Sequence, residues 1–142
     1  MSMHTVLDEA IKKATELRHW FHQYPELTWQ EEKTAEKIRS CLDDWGIAWR
    51  ACAGLGTVAV LGSHKKGEHI ALRADMDALP IHEEVVTDYC STTDGKMHAC
   101  GHDGHMAALL GAGFLLKQYE SELDGPVSLL FQPAEEGGHG AK

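Results

Sequence analysis

Between Val6 and Phe21, apolar residues recur at steps of three and four: Leu7, Ala10, Ile11, Ala14, Leu17 and Phe21. Lys12, Lys13, Glu16 and Arg18 lie between them. This period predicts an amphipathic helix with one stripe against a core. Tyr24-Pro25-Glu26 ends it, because Pro25 has no amide hydrogen for the ladder and restricts the residue before it. Thr28 followed by Glu31 has the capping-box pattern and predicts a second helix, with Ala35, Ile38, Leu42 and Trp45 on its inner face. Gly46 stands where a left-handed residue closes such a helix.

The period then changes. Ile47 to Arg50, Thr57 to Leu61 and His69 to Leu72 are short, mostly apolar runs separated by glycine-containing turns, which predicts strands. The middle run, between Gly56 and Gly62, reads as buried on both faces. Asp75 to Met97 is irregular and polar, the pattern of a surface loop. A third helix starts at or beside Asp103, with Met106, Leu109, Leu110, Gly113 and Leu116 turned inward. Pro126 to Phe131 reads as a last strand, followed by a Gly-rich acidic loop from Gln132 to Lys142. Helices followed by strands with a helix between them define an α/β layer arrangement.

The 142 residues fit a single domain. With 13 basic and 22 acidic side chains, the net charge of −9 argues against a nucleic-acid groove or an anionic membrane surface. The longest mostly apolar stretch, Met106 to Leu116, is too short for a bilayer, which needs about 20 residues. The start has no basic segment leading into an apolar one, and the four cysteines form no CxxC pair. A reducing cytoplasm is therefore expected. Cys41, Cys52 and Cys90 read as small core residues, leaving Cys100 for chemistry. The ten histidines are the one unusual count. Trp20, Trp29, Trp45 and Trp49 read as packing residues around the first two helices and the first strand.

Three polar clusters fall where strands end: Asp75-Met76-Asp77, Cys100-Gly101-His102-Asp103-Gly104-His105 and Glu135-Glu136. In open α/β sheets, ligands bind outside the carboxyl ends of strands, so these loops are expected to converge. Thiolate, imidazole and carboxylate together form a donor set suited to zinc and related divalent ions.

The runs Leu72-Arg73-Ala74-Asp75-Met76-Asp77-Ala78-Leu79-Pro80, Met97-His98-Ala99-Cys100-Gly101-His102-Asp103-Gly104-His105 and Phe131-Gln132-Pro133-Ala134-Glu135-Glu136-Gly137 resemble, in order, the motifs of the metallopeptidase M20 family. The likeness is to its amidohydrolase branch, which includes hippurate hydrolases, N-acyl-amino-acid amidohydrolases and auxin-conjugate hydrolases. The resemblance implies Cys100, His102 and Glu136 as metal ligands, with Cys100 at the position that bridges two ions. It implies Glu135 as the general base for the attacking water and Asp77 as the carboxylate that orients a histidine ligand. Zn²⁺, Mn²⁺ or Co²⁺ is the implied cofactor, a small N-acyl amino acid the implied substrate, and amide hydrolysis the implied reaction.

Family members are considerably longer, with a lid or dimerisation domain inserted into the catalytic domain and two further histidine ligands downstream. Residues 1–142 are therefore expected to be an incomplete, N-terminal portion of a zinc-exopeptidase-like three-layer α/β/α catalytic domain. Little or no amidase activity is expected from them alone. The alternative is a catalytically inactive metal-binding module that self-associates through an exposed sheet edge. A cysteine hydrolase using Cys100 with His102 or His105 is a competing class, but it leaves Glu135 and Glu136 without a task. His105 reads equally as a metal-site neighbour or a packing residue, His98 and His139 stay unplaced, and Asp75 is close enough to the site to contribute. Asp103 reads as a helix N-cap rather than a ligand. His4, His19, His22, His64, His69 and His82 read as ordinary surface or core histidines.

Overall fold

The computed structural model describes residues 2–142. Its elements run α1 (Met3–Gln23), α2 (Glu32–Asp44), β1 (Trp49–Cys52), β2 (Gly56–Leu61), β3 (Ile70–Asp75), α3 (His102–Gln118) and β4 (Val127–Gln132). A 3₁₀ turn, Glu120–Glu122, links α3 to β4. The four strands form one sheet in the order β1-β2-β4-β3. β1 and β4 each run antiparallel to β2, while β3 runs parallel to β4. A parallel pair needs a crossover, and α3 supplies it. No helix among the described residues is long and apolar enough to cross a membrane.

One face of the sheet meets the helices. Ala59, Leu61, Leu129, Phe131 and Ala74, alternate positions on three strands, pack with Phe21 of α1, Ile38 and Leu42 of α2, and Met106 and Leu110 of α3. Val58, Val60 and Leu130 on the opposite face are only half-buried. The α/β class read from the sequence holds: one helical layer on one sheet.

The helices show where sequence pattern and packing part. α2 ends as predicted: Gly46 takes φ +69°, and the Ile47 and Gly46 amides donate to the Leu42 and Asp43 carbonyls, closing the helix. Its start differs. Thr28 does not cap α2; Glu26 does, its carboxylate accepting from the amides of Lys33 and Thr34 and from the Thr34 hydroxyl at 3.1, 2.6 and 2.6 Å. Glu31 turns inward and is fully buried. In α1 the buried stripe is Val6, Ala10, Leu17 and Phe21, whereas Leu7 and Ile11 are exposed. Here α1 lies close on α3, where a Cβ on Gly111 would stand 3.1 Å from the Ala14 Cβ.

β1 starts at Trp49 rather than Ile47, and β3 continues to Asp75. Residues 76–101 are irregular but not simply a surface loop: Met76, Asp77, Ala78 and His98 are buried. The segment is fastened to α1 through His22. Its Nε2 meets both Glu83 carboxylate oxygens at 2.9 and 2.8 Å, and its Nδ1 meets Asp103 Oδ2 at 2.8 Å. Tyr89 stacks on His19 with ring centroids 3.9 Å apart. Of the cysteines read as core, Cys41 is buried, Cys90 is half-buried and Cys52, on edge strand β1, is exposed. Trp20, Trp45 and Trp49 pack against the core, but Trp29 is exposed.

Candidate metal centre

The parallel register pairs Asp75 of β3 with Gln132 of β4, so both strands deliver their carboxyl ends to the same rim of the sheet. Asp75 to Asp77 and Pro133 to Glu136 leave the rim there. Gly101 turns the chain into α3 with φ +88°, a conformation that favours glycine, and makes His102 the first helical residue. Gly101, not Asp103, is the N-cap. Asp103 instead lies buried in the first turn, held by His22 and by Arg18 Nε at 3.2 Å.

His102 is buried and fixed from one side. Its Nδ1 donates to the main-chain carbonyl of Asp77 at 2.7 Å, with Asp77 Oδ1 at 3.4 Å. A carbonyl only accepts, so Nδ1 carries the proton and Nε2 faces the cleft. Around Nε2 stand Asp75 Oδ2 at 3.4 Å, Glu135 Oε2 at 3.8 Å and Glu136 Oε1 at 3.8 Å. Donor atoms of Cys100, His102 and Glu136 lie within 4.8 Å of one another, as do those of Asp75, His102 and His105. Both trios share His102.

Asp77 is fully buried, and its carboxylate is the junction of the site. Oδ1 accepts from the Glu135 amide at 3.0 Å; Oδ2 accepts from the Glu136 amide at 2.9 Å and the Thr28 hydroxyl at 2.8 Å. Burial alone raises its pKa, but His102 and these three donors outweigh it and hold the carboxyl well below the usual carboxylate range. Asp75 shows the same balance: burial raises its pKa, while the hydrogen bond from His105 and the charge on His102 bring it down. His102 is raised, its burial overcome by Asp77 and Asp75.

The donor set fits a divalent cation on two observations. Glu136 Oε1 is buried without a hydrogen-bond partner among the described residues. The neighbouring Glu136 pushes the Cys100 thiol up, and the charges of Glu135 and Asp75 add to it. Crowded negative charge of this kind is what a cation relieves. The five residues read from the sequence, Asp77, Cys100, His102, Glu135 and Glu136, thus meet at one rim. Sequence reasoning missed Thr28 and Glu31, which approach from the α1–α2 linker, and it left the Asp75–His105 pair open. That pair is joined at 2.7 Å.

Comparison with known proteins defines the class. Peptidase family M20/M25/M40 matches residues 71–142. The chain belongs to this family. Over 131 residues it is 50% identical to the N-acetyl-L-cysteine deacetylase of Bacillus subtilis, covering 92% of this chain and 32% of that protein. It is 47% identical over 127 residues to the IAA-amino acid hydrolase ILR1-like 5 of Arabidopsis thaliana, covering 89% and 29%. The crystal structure of the Bacillus subtilis YXEP protein, a dinuclear metal binding peptidase of the M20 family, superposes with a TM-score of 0.86 at 40% identity. That match covers 91% of this chain and 37% of the other. The chain spans about a third of the length of the curated relatives it matches.

Proposed function

We propose that this chain carries metal-ligand and general-base residues of an amidohydrolase that cleaves the amide bond of N-acyl amino acids, with residues 1–142 forming the N-terminal part of its catalytic domain. The observation that carries this reading is the meeting of Cys100, His102 and Glu136 around one point, with Glu136 Oε1 buried and without a hydrogen-bond partner among the described residues. The names of the B. subtilis and A. thaliana relatives support the substrate class.

Cys100, His102 and Glu136 would hold the cation, with His102 offering its unprotonated Nε2. When bound, a divalent ion lowers the pKa of water towards about 7 and polarises the scissile carbonyl. Glu135, whose side chain is 39% exposed, faces the cleft with a carboxylate able to take a proton from water and pass it to the departing amine. Water adds across the amide, giving a carboxylic acid and an amino acid. Asp77 keeps Nδ1 of His102 protonated and Nε2 free, and it fixes the main chain of Glu135 and Glu136. The four free thiols support a reducing compartment such as the cytoplasm.

As an isolated 142-residue segment it is expected to bind metal but to turn over slowly or not at all, because three protein donors are too few for a two-metal site. The test titrates Zn²⁺, Mn²⁺ and Co²⁺ into the chain and its Cys100→Ala variant, and follows hydrolysis of hippurate and N-acetyl amino acids before and after chelation. Metal binding that Cys100→Ala abolishes supports the centre. No bound metal in the parent chain overturns it. Hydrolysis that ignores a chelator but stops on thiol alkylation identifies a cysteine hydrolase instead. A second reading, a metal-binding module without turnover that self-associates at edge strand β3, is favoured by the exposure of Ile70 and Leu72 there. It predicts bound metal, a dimer in sedimentation and no hydrolysis.

A further inference from the structure

The linker between α1 and α2 grips the loop that carries Glu135 and Glu136. Ala134, the residue before the pair, sits at φ +52°, in the left-handed region that alanine rarely adopts. Such a conformation persists only when its surroundings determine it. Here three contacts do so. The Ala134 amide donates to Glu31 Oε1 at 2.7 Å, a bond buried from water. The Ala134 carbonyl accepts from the Gly140 amide at 3.1 Å. The Thr28 hydroxyl reaches Asp77 Oδ2, the same oxygen that takes the Glu136 amide.

The linker is itself shaped for this. Trp29 also has a positive φ, +62°, and its indole N–H donates to the Gly138 carbonyl at 2.9 Å. Gly138 is packed so closely that a Cβ there would lie 2.4 Å from Thr28 Cγ2. Glu31 is fully buried, its Oε2 has no hydrogen-bond partner among the described residues, and helix capping is left to Glu26. A buried carboxyl that neither caps its helix nor pairs with a base is costly to keep. Among the described residues, the one hydrogen bond of its carboxyl is to the loop that carries Glu135 and Glu136.

We propose that Glu31 and Thr28 are positioning residues for the Glu135–Glu136 pair: Glu31 fixes the left-handed turn at Ala134, Thr28 fixes Asp77, and together they aim Glu136 at Cys100 and His102. The proposal rests on the metal-centre reading above. Neither residue belongs to either donor trio at the rim. Burial, followed by the charges of Asp77 and Glu26, raises the Glu31 pKa, so glutamine is its natural substitute.

The experiment measures Co²⁺ affinity and the Co²⁺ absorption spectrum of the 142-residue chain and of Glu31→Ala, Glu31→Gln, Thr28→Val and Cys100→Ala, with thermal melts as a control on folding. Losing an outer partner of a ligand weakens metal binding by about 10–100-fold, so Glu31→Ala is expected to bind roughly tenfold or more weakly, with a changed spectrum. Glu31→Gln keeps an acceptor for the Ala134 amide and is expected to stay within about threefold of the parent. Thr28→Val, which keeps the shape of the side chain, is expected to fall between them and reports alone if Glu31→Ala does not fold. Parent-like affinity and spectrum in folded Glu31→Ala, or in Thr28→Val when that variant reports alone, overturn the proposal, provided Cys100→Ala has lost the metal. A Glu31→Gln as weak as Glu31→Ala overturns it also. If Cys100→Ala binds like the parent, the metal-centre reading fails, and the positioning proposal with it.

Discussion

His98 makes the stability of this fold depend on pH in a defined direction. The residue is 4% exposed, and neither ring nitrogen has a hydrogen-bond partner among the described residues. Burial pushes its pKa from 6.5 down to about 4; Asp103 and Asp77 pull it up, while His102 and His22 push it further down. The unfolded chain therefore takes up the proton first as pH falls. With a depressed histidine pKa, stability is fully present above about pH 6.5, falls as pH drops, and stops falling below about pH 4. The loss is the distance between the two pKa values at about 1.4 kcal/mol per unit, or about 3 kcal/mol in all. The assay is urea unfolding of the metal-free chain between pH 7.5 and pH 4, run in parallel on His98→Gln. Asp103, Asp77, His102 and His22 face His98 and are unchanged in both proteins, so the difference between the two curves isolates the histidine. The parent is expected to lose about 3 kcal/mol relative to the variant across this range. A difference that does not change with pH would refute the reasoning.

Other perturbations read separate parts of the fold. Asp77→Asn turns a donor towards the Glu136 amide and is expected to cost about 1–3 kcal/mol in urea unfolding, with m unchanged. Glu26→Ala removes the acceptor for the Lys33 and Thr34 amides and is expected to cost about 1–2 kcal/mol, whereas Thr28→Ala leaves the α2 cap intact. Gly46→Ala forces a side chain into the left-handed region at φ +69° and is expected to cost about 1 kcal/mol, seen as a lower urea midpoint.

Much of this arrangement is legible in the chain. Period 3.6 placed the three helices, and short apolar runs between glycines placed the strands, because the burial that creates those periods is a local repeat. The three polar clusters were legible as strand-end residues, and the parallel register of β3 and β4 is the physical reason they share a rim. What escaped was set by contacts between distant segments. Thr28 has the spacing of a cap yet bonds Asp77, 49 residues away, and Glu31 bonds Ala134, 103 residues away. Nothing in a local pattern separates a carboxylate that caps its own helix from one that supports a remote loop. The inner stripe of α1 was misjudged for a related reason. Leu7 and Ile11 fit the period, but the small residues of α3 bring the two helices together along Ala10 and Ala14 instead.

The fastening of α1 to residues 76–101 has a consequence for how the molecule opens. That segment has no ladder of its own beyond isolated bridges at Ala78 and between Leu79 and Met97. Its order depends on His22 holding Glu83 and on Gln23 accepting from the Thr92 amide and hydroxyl, all at the last turn of α1. Fraying of that one helical turn releases the segment leading to Cys100 and His102. Amide hydrogens of the last turn of α1 and of residues 79–99 should therefore exchange as one cooperative unit, with a common opening free energy below that of the sheet.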